Sequence, residues 1–172
     1  MKSMEARQAR VYKAQYGKAI KEKDESIKYA MDEQNMAKWY ILLHNFSGNN
    51  DEYLGGEYIV RIELPNDFPY NPPHFYFMTP NGLYEVEKKV CISIGEFHKD
   101  QYRAALGVGG FCKQLLSGLI GWKEIGSGIS IIKTSEDKKK AMAADSVEYN
   151  RTNNAMFMAL IDSSYDSYSK KW

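Results

Sequence analysis

All five prolines of this 172-residue chain fall between positions 65 and 80: Pro65, Pro69, Pro72, Pro73 and Pro80. Proline has no amide proton and a fixed φ, so FPYNPP at 68–73 must be a stiff loop outside any sheet ladder. Such a loop is either a plain rigid connection or a frame that can expose Phe68 and Tyr70. It also fixes where strands can lie. GEYIVRIEL (56–64) alternates Tyr58, Val60, Ile62 and Leu64 with Ile59, Arg61 and Glu63, the period of a strand with one buried face. Asn49-Asn50-Asp51 and Gly55-Gly56 supply the turns before it. IKYAMD (27–32), AKWYILLHNF (37–46) and HFYFMT (74–79) are further strands. Four strands in succession, without helices between them, predict an antiparallel meander.

Helices flank that meander. Residues 3–20 are rich in helix formers and free of proline, and predict a moderately amphipathic helix. Farther on, Val108, Phe111, Cys112, Leu115, Leu116, Leu119 and Ile120 recur at spacings of three, four and seven, opposite Lys113, Gln114 and Ser117, which is a strong helix pattern. EIGSGIS (124–130) is a loop. Thr134-Ser135-Glu136-Asp137 fits a capping-box start for a helix reaching about Tyr149. A last helix covers roughly 153–161, and the polar, aromatic end SSYDSYSKKW is expected to fray. The expected fold class is α+β, and residues 1–172 are expected to form a single domain.

Charge and composition narrow the function. The net charge of +1 gives no global argument for nucleic acid, yet residues 1–21 hold six Lys/Arg against Glu5 alone, a local +5. A basic end on a balanced body fits either a docking surface for an acidic partner or a solvated helix face. Two cysteines, no CxxC and three histidines argue against a zinc site or a disulfide framework and for a reducing compartment. No cofactor motif and no metal site is expected. No apolar run approaches the ~20 residues needed to span a bilayer, and the charged N-terminus lacks the apolar core of a signal peptide. The expected location is the cytoplasm.

Helical periodicity separates the two cysteines. Cys112 lies on the apolar stripe and reads as a small core residue. Cys91 follows Glu87-Lys88-Lys89-Val90 and is anchored by Val90, Ile92 and Ile94. The two lysines can lower its thiol pKa, so it is either a nucleophile or a half-buried structural thiol. A cysteine hydrolase needs a histidine within hydrogen-bond reach and a third group to orient it. His98 meets this need only if its loop folds back on Cys91, while His44 and His74 belong to strands. No protease signature is present.

The order of these pieces resembles the ubiquitin-conjugating enzymes over nearly the whole chain. FPYNPPHFYFMTPNG is similar to that family's proline loop and fourth strand, running into its His-Pro-Asn motif, with Thr79 in the place of the histidine. The Thr-Pro-Asn variant, Gly82 and the ten-residue step from Asn81 to Cys91 resemble a divergent branch acting in endoplasmic-reticulum-associated degradation. CISIGEFHKDQY (91–102) and SGISIIKTSEDKKKAMAADSVEYN (127–150) resemble it too. The fold this implies has a four-stranded antiparallel meander, an N-terminal helix, a central helix after the active-site cysteine, and C-terminal helices. Members of the branch usually carry a C-terminal membrane anchor, so an anchored form would face the cytosol from the endoplasmic reticulum.

The resemblance implies roles residue by residue. Cys91 would accept ubiquitin from the activating enzyme as a thioester and pass it to a lysine amine. Exchange between thioesters is near thermoneutral and needs a thiolate and steric access, not a triad. Asn81 would either donate to the oxyanion, worth about 3 kcal/mol in rate, or hold the loop through local backbone bonds. Thr79 has one hydroxyl, too few to replace every bond of the family's histidine. Arg7, Arg10 and Lys13 would meet the activating enzyme's acidic docking domain. Tyr70 and Ala105 would meet a ubiquitin ligase, of RING type, although Tyr102 and Ala104 depart from the second ligase loop. Ser135, or Thr134 beside it, would stand at the gate near the cysteine. His98 would assist transfer to serine or threonine hydroxyls. The alternative is a catalytically silent scaffold of the same fold that binds ubiquitin or a ligase.

Overall fold

The computed structural model describes residues 2–90, 103–125 and 130–169. Helix α1 (Lys2–Lys21) leads into strands β1 (Ile27–Met31), β2 (Lys38–Leu43), β3 (Tyr58–Glu63) and β4 (His74–Phe77). Helices α2 (Gly107–Ile120), α3 (Glu136–Asn153) and α4 (Ala155–Ser169) follow. The sheet order is β1-β2-β3-β4 and every neighbouring pair is antiparallel, the meander expected from the sequence.

Register puts the apolar residues in opposing rows. Trp39, Ile41 and Leu43 face Ile62, Val60 and Tyr58 across β2 and β3, and Ile62 and Val60 face Phe75 and Phe77 across β3 and β4. These rows form one face of the sheet, as the period of two requires. They pack on Tyr12 and Ala19 of α1 and on Val108, Phe111, Cys112, Leu115 and Leu119 of α2. Gly109 faces Ala19 where the two helices meet, and a Cβ there would stand 3.4 Å from Ala19 Cα, an ordinary van der Waals contact.

The second face of the sheet is buried as well, which corrects the expectation of a strand with one buried face. Ile59, Ala30, Tyr40, Leu42 and Met78 form a separate cluster with Ile161. Helix α4 supplies the cover, and its Phe157 stacks on Tyr40 with ring centroids 4.3 Å apart. Residues 163–169, expected to fray, continue this helix.

Other boundaries shift for identifiable reasons. Helix α3 runs to Asn153 rather than Tyr149. Its N-cap is Ser135, whose hydroxyl accepts from the Lys138 amide. The capping box therefore starts one residue later than the Thr134 to Asp137 pattern suggests, and the acid that would complete it is absent. The proline loop separates its two rings: Phe68 is buried, whereas Tyr70 is 84% exposed.

Candidate active site

Thr79-Pro80-Asn81-Gly82 leaves the end of β4 and turns the chain back along it. Asn81 shapes the turn. Its Oδ1 accepts from the amides of Leu83 (2.9 Å) and Tyr84 (2.7 Å), and its Nδ2 donates to the carbonyls of Thr79 and Tyr84 (both 3.1 Å). Both amide hydrogens are occupied and the side chain has no exposed surface. Of the two roles left open for Asn81, these are the bonds of a loop brace. Gly82 follows at φ +83°, and a Cβ there would stand 2.7 Å from Thr134 Oγ1 and 2.8 Å from Lys139 Cγ. Backbone conformation and space therefore both call for glycine.

Thr79 is equally buried, and its single hydroxyl makes two bonds. Oγ1 accepts from the Ile59 amide of β3 (3.0 Å) and donates to Asn150 Oδ1 of α3 (2.6 Å). Asn150 Nδ2 donates in turn to the Glu57 carbonyl (2.7 Å). Asn154 Nδ2 donates to Asn150 Oδ1 (2.9 Å) and to the Met78 carbonyl (3.1 Å). Ser146 Oγ accepts from the Glu57 amide (2.9 Å). Ser146, Asn150 and Asn154 are four residues apart, so they form one row along α3 and its C-cap. That row braces what one threonine hydroxyl cannot.

Beyond Gly82 the chain is held on two sides. Segment 130–134 lies along one side. There Ile132 N donates to Leu83 O (2.7 Å), Glu85 N to Ser130 O (2.9 Å) and Thr134 Oγ1 to Gly82 O. Strand β4 lies along the other, where Glu87 N donates to Phe77 O and Val90 N to Phe75 O (both 2.8 Å). The Tyr84 ring stacks on Phe77, and burial pushes its phenol up to about 12. Ser130 Oγ donates to Lys89 O (2.9 Å). Glu87 and Ser130 both hold positive φ without being glycine, which costs about 1–2 kcal/mol each and has to be outweighed by these bonds. Val90 is buried, and Cys91 is the next residue in the chain. Cys91 and His98 lie outside the described residues.

Cys112 is fully buried in α2, and burial pushes its thiol well above the ordinary range. It is a core residue, as the apolar stripe predicted. His44 follows β2 and His74 opens β4; both are half-buried. Burial and, less strongly, Lys28 lower the pKa of His44. Among the described residues no group of three or more His, Cys, Asp or Glu side chains is placed to hold a metal ion.

The expected docking residues are distributed by α1. Arg7, Arg10 and Lys13 are exposed on the side of the helix opposite buried Tyr12 and Ala19. Gln8 Nε2 donates to the Phe68 carbonyl (2.8 Å), two residues before Tyr70. Gln15, seven residues on and so on the same face, accepts from the Val108 amide at the start of α2 (3.1 Å). Ala105 is exposed in the short 3-10 helix just before α2, Ala104–Leu106. One helix thus fastens both loops. Ser135 is exposed and caps α3, whereas Thr134 is the residue bonded to Gly82.

The ubiquitin-conjugating enzyme family model matches residues 10–163. The chain belongs to the ubiquitin-conjugating enzyme family. It is 32% identical over 127 residues to ubiquitin-conjugating enzyme E2 6 of Candida glabrata, covering 73% of this chain and 49% of that protein. It is 33% identical over 116 residues to ubiquitin-conjugating enzyme E2 J2 of Mus musculus, covering 67% and 43%. It therefore spans about half the length of the curated relatives it matches. The solved structure of human ubiquitin-conjugating enzyme E2 G1 shares the fold, with a TM-score of 0.55 and 22% identity over 67% of this chain and 96% of that one. No described helix is long and apolar enough to cross a membrane.

Little in the local sequence pattern marks Ser146, Asn150, Asn154 and Lys139 as site residues. The available signal was their helical spacing on an α3 whose buried face offers little apolar surface besides Ala143. Asn81→Ala would orphan four buried backbone groups, so it is expected to lower unfolding free energy by about 2–4 kcal/mol in urea titration. An unchanged midpoint would instead leave the oxyanion role as the only one for this side chain.

Proposed function

We propose that this chain is an active ubiquitin-conjugating enzyme. In this reading Cys91 takes the ubiquitin C-terminus from the activating enzyme as a thioester and passes it to a lysine amine, with a RING-type ligase. The observation that carries the reading is the braced return of residues 79–90 along β4, which ends on buried Val90 immediately before Cys91. The other cysteine has no access to a partner. Chemistry supports the reading too: the thiol is a good leaving group, so the second step is helped mainly by positioning and desolvating the amine.

The same reading gives the surface residues their roles. Arg7, Arg10 and Lys13 meet the acidic activating enzyme, and Tyr70 with Ala105 meets the ligase. Thr79 and Asn81 hold the loop, and Thr134 with Ser135 borders the gate. Residues 1–172 act as one catalytic unit. The Thr-Pro-Asn motif and the longer step to Cys91 favour the branch of endoplasmic-reticulum-associated degradation, and hence work on the cytosolic side of that membrane.

The deciding experiment mixes the chain with ubiquitin, activating enzyme and ATP and runs a non-reducing gel. The expected result is a ubiquitin adduct that dithiothreitol removes, absent in Cys91→Ala and present in Cys112→Ala. No adduct in the wild type, with the activating enzyme visibly charged, would contradict the proposal and favour a silent scaffold. His98 is assigned to hydroxyl transfer, because a hydroxyl gains more from a general base than an amine does. His98→Ala is expected to lower the ratio of hydroxyl-linked to lysine-linked product measured by hydroxylamine sensitivity; an unchanged ratio removes that role.

A further inference from the structure

Lys139 is a lysine with 1% of its surface exposed. Its Nζ donates to the Thr134 carbonyl and to Thr134 Oγ1 (both 2.9 Å) and sits 3.8 Å from the centre of the Trp122 ring. Trp122 Nε1 donates to Glu52 Oε1 (2.6 Å), and Glu52 is itself buried. Burial lowers the pKa of this lysine, and the Glu52 charge partly opposes that. The network thus joins the short 3-10 helix Asp51–Tyr53, the short 3-10 helix Trp122–Glu124, the start of α3, and Gly82.

Desolvating an ammonium is costly, and a methionine of similar length would avoid that cost. The cation provides a direction that methionine cannot. A lysine ammonium only donates, so Thr134 Oγ1 must accept from it. The one proton of the Thr134 hydroxyl is then left for the Gly82 carbonyl. The indole face holds the ammonium in place through a cation–π contact, which is stronger when desolvated.

We propose that Lys139 is a positioning residue for ubiquitin transfer: it orients the Thr134 hydroxyl onto Gly82 and so fixes segment 130–134 against residues 82–85, setting the path of the chain into Cys91. The proposal rests on the reading of Cys91 as the thioester site. Its effect is transmitted by the bonds Ile132 N to Leu83 O and Glu85 N to Ser130 O, which continue the contact that Thr134 begins.

The test compares Lys139→Met with Lys139→Arg in the full chain. Lys139→Met is expected to charge with ubiquitin but to discharge to free lysine about tenfold more slowly, with little change in its dependence on lysine concentration. Lys139→Arg, which keeps a cation able to sit on indole and donate, restores most of the rate. Amide exchange at Glu85 and Ile132 is expected to quicken in Lys139→Met while Ile41 and Val60 in the sheet stay protected. Wild-type discharge in Lys139→Met, or loss of protection throughout the sheet, overturns the proposal. Should Lys139→Met not fold, Thr134→Val removes the same hydroxyl and must reproduce the slow discharge and the local exchange. A wild-type chain that forms no adduct contradicts the Cys91 reading instead, and exchange at Glu85 and Ile132 still reads the clamp.

Discussion

The Thr79 hydroxyl is the joint on which the candidate site depends. It links the Ile59 amide in β3 to the Asn150 side chain on α3 at the point where β4 ends and the return loop starts. Both groups are out of water, so leaving either unpaired would cost about 1–3 kcal/mol. A threonine can do this because it both donates and accepts, but it has only one proton to give. The remaining bonds come from the helix: Asn150 and Ser146 hold the carbonyl and amide of Glu57, and Asn154 holds Met78. In this chain a polar helix face supplies the bracing that a single threonine hydroxyl cannot.

That face is useful only if α3 is rigidly placed, and the packing secures it. Helix α4 continues directly from α3 and lays Phe157 and Ile161 onto the outer face of the sheet. On the inner face, α1 and α2 close the main core, and two glutamines of α1 fasten the proline loop and the start of α2. The sheet is therefore held from both sides. Glu87 on the return loop and Ser130 on the segment beside it can hold positive φ without being glycine because the bonds on both sides of the loop hold the backbone in place.

Much of this was legible in the sequence where periodicity is strong. The alternation of Tyr58, Val60, Ile62 and Leu64 locates β3, and the stripe from Val108 to Leu119 locates α2 and consigns Cys112 to the core. Local pattern misleads where tertiary contact overrides it. Ile59 looked outward until α4 covered it. The aliphatic pattern of the last helix stops at Ile161, whereas the backbone stays helical to Ser169. Tyr70 and Phe68 are alike in composition, and only packing against the core decides which is buried. The brace on α3 was the least legible part, because Ser146, Asn150 and Asn154 look like solvent-facing residues until the groups they bond are known. In the sequence Cys91 is marked by its charged neighbours and by the family resemblance, not by an adjacent histidine.

Thr79 and α3 hold the loop as one unit. A double-mutant cycle with Thr79→Val and Asn150→Ala, read by urea unfolding, tests it most directly. The expected coupling energy between the two sites is about 1–2 kcal/mol. Effects that add to within about 0.3 kcal/mol would contradict it, because independent sites cannot form a shared brace.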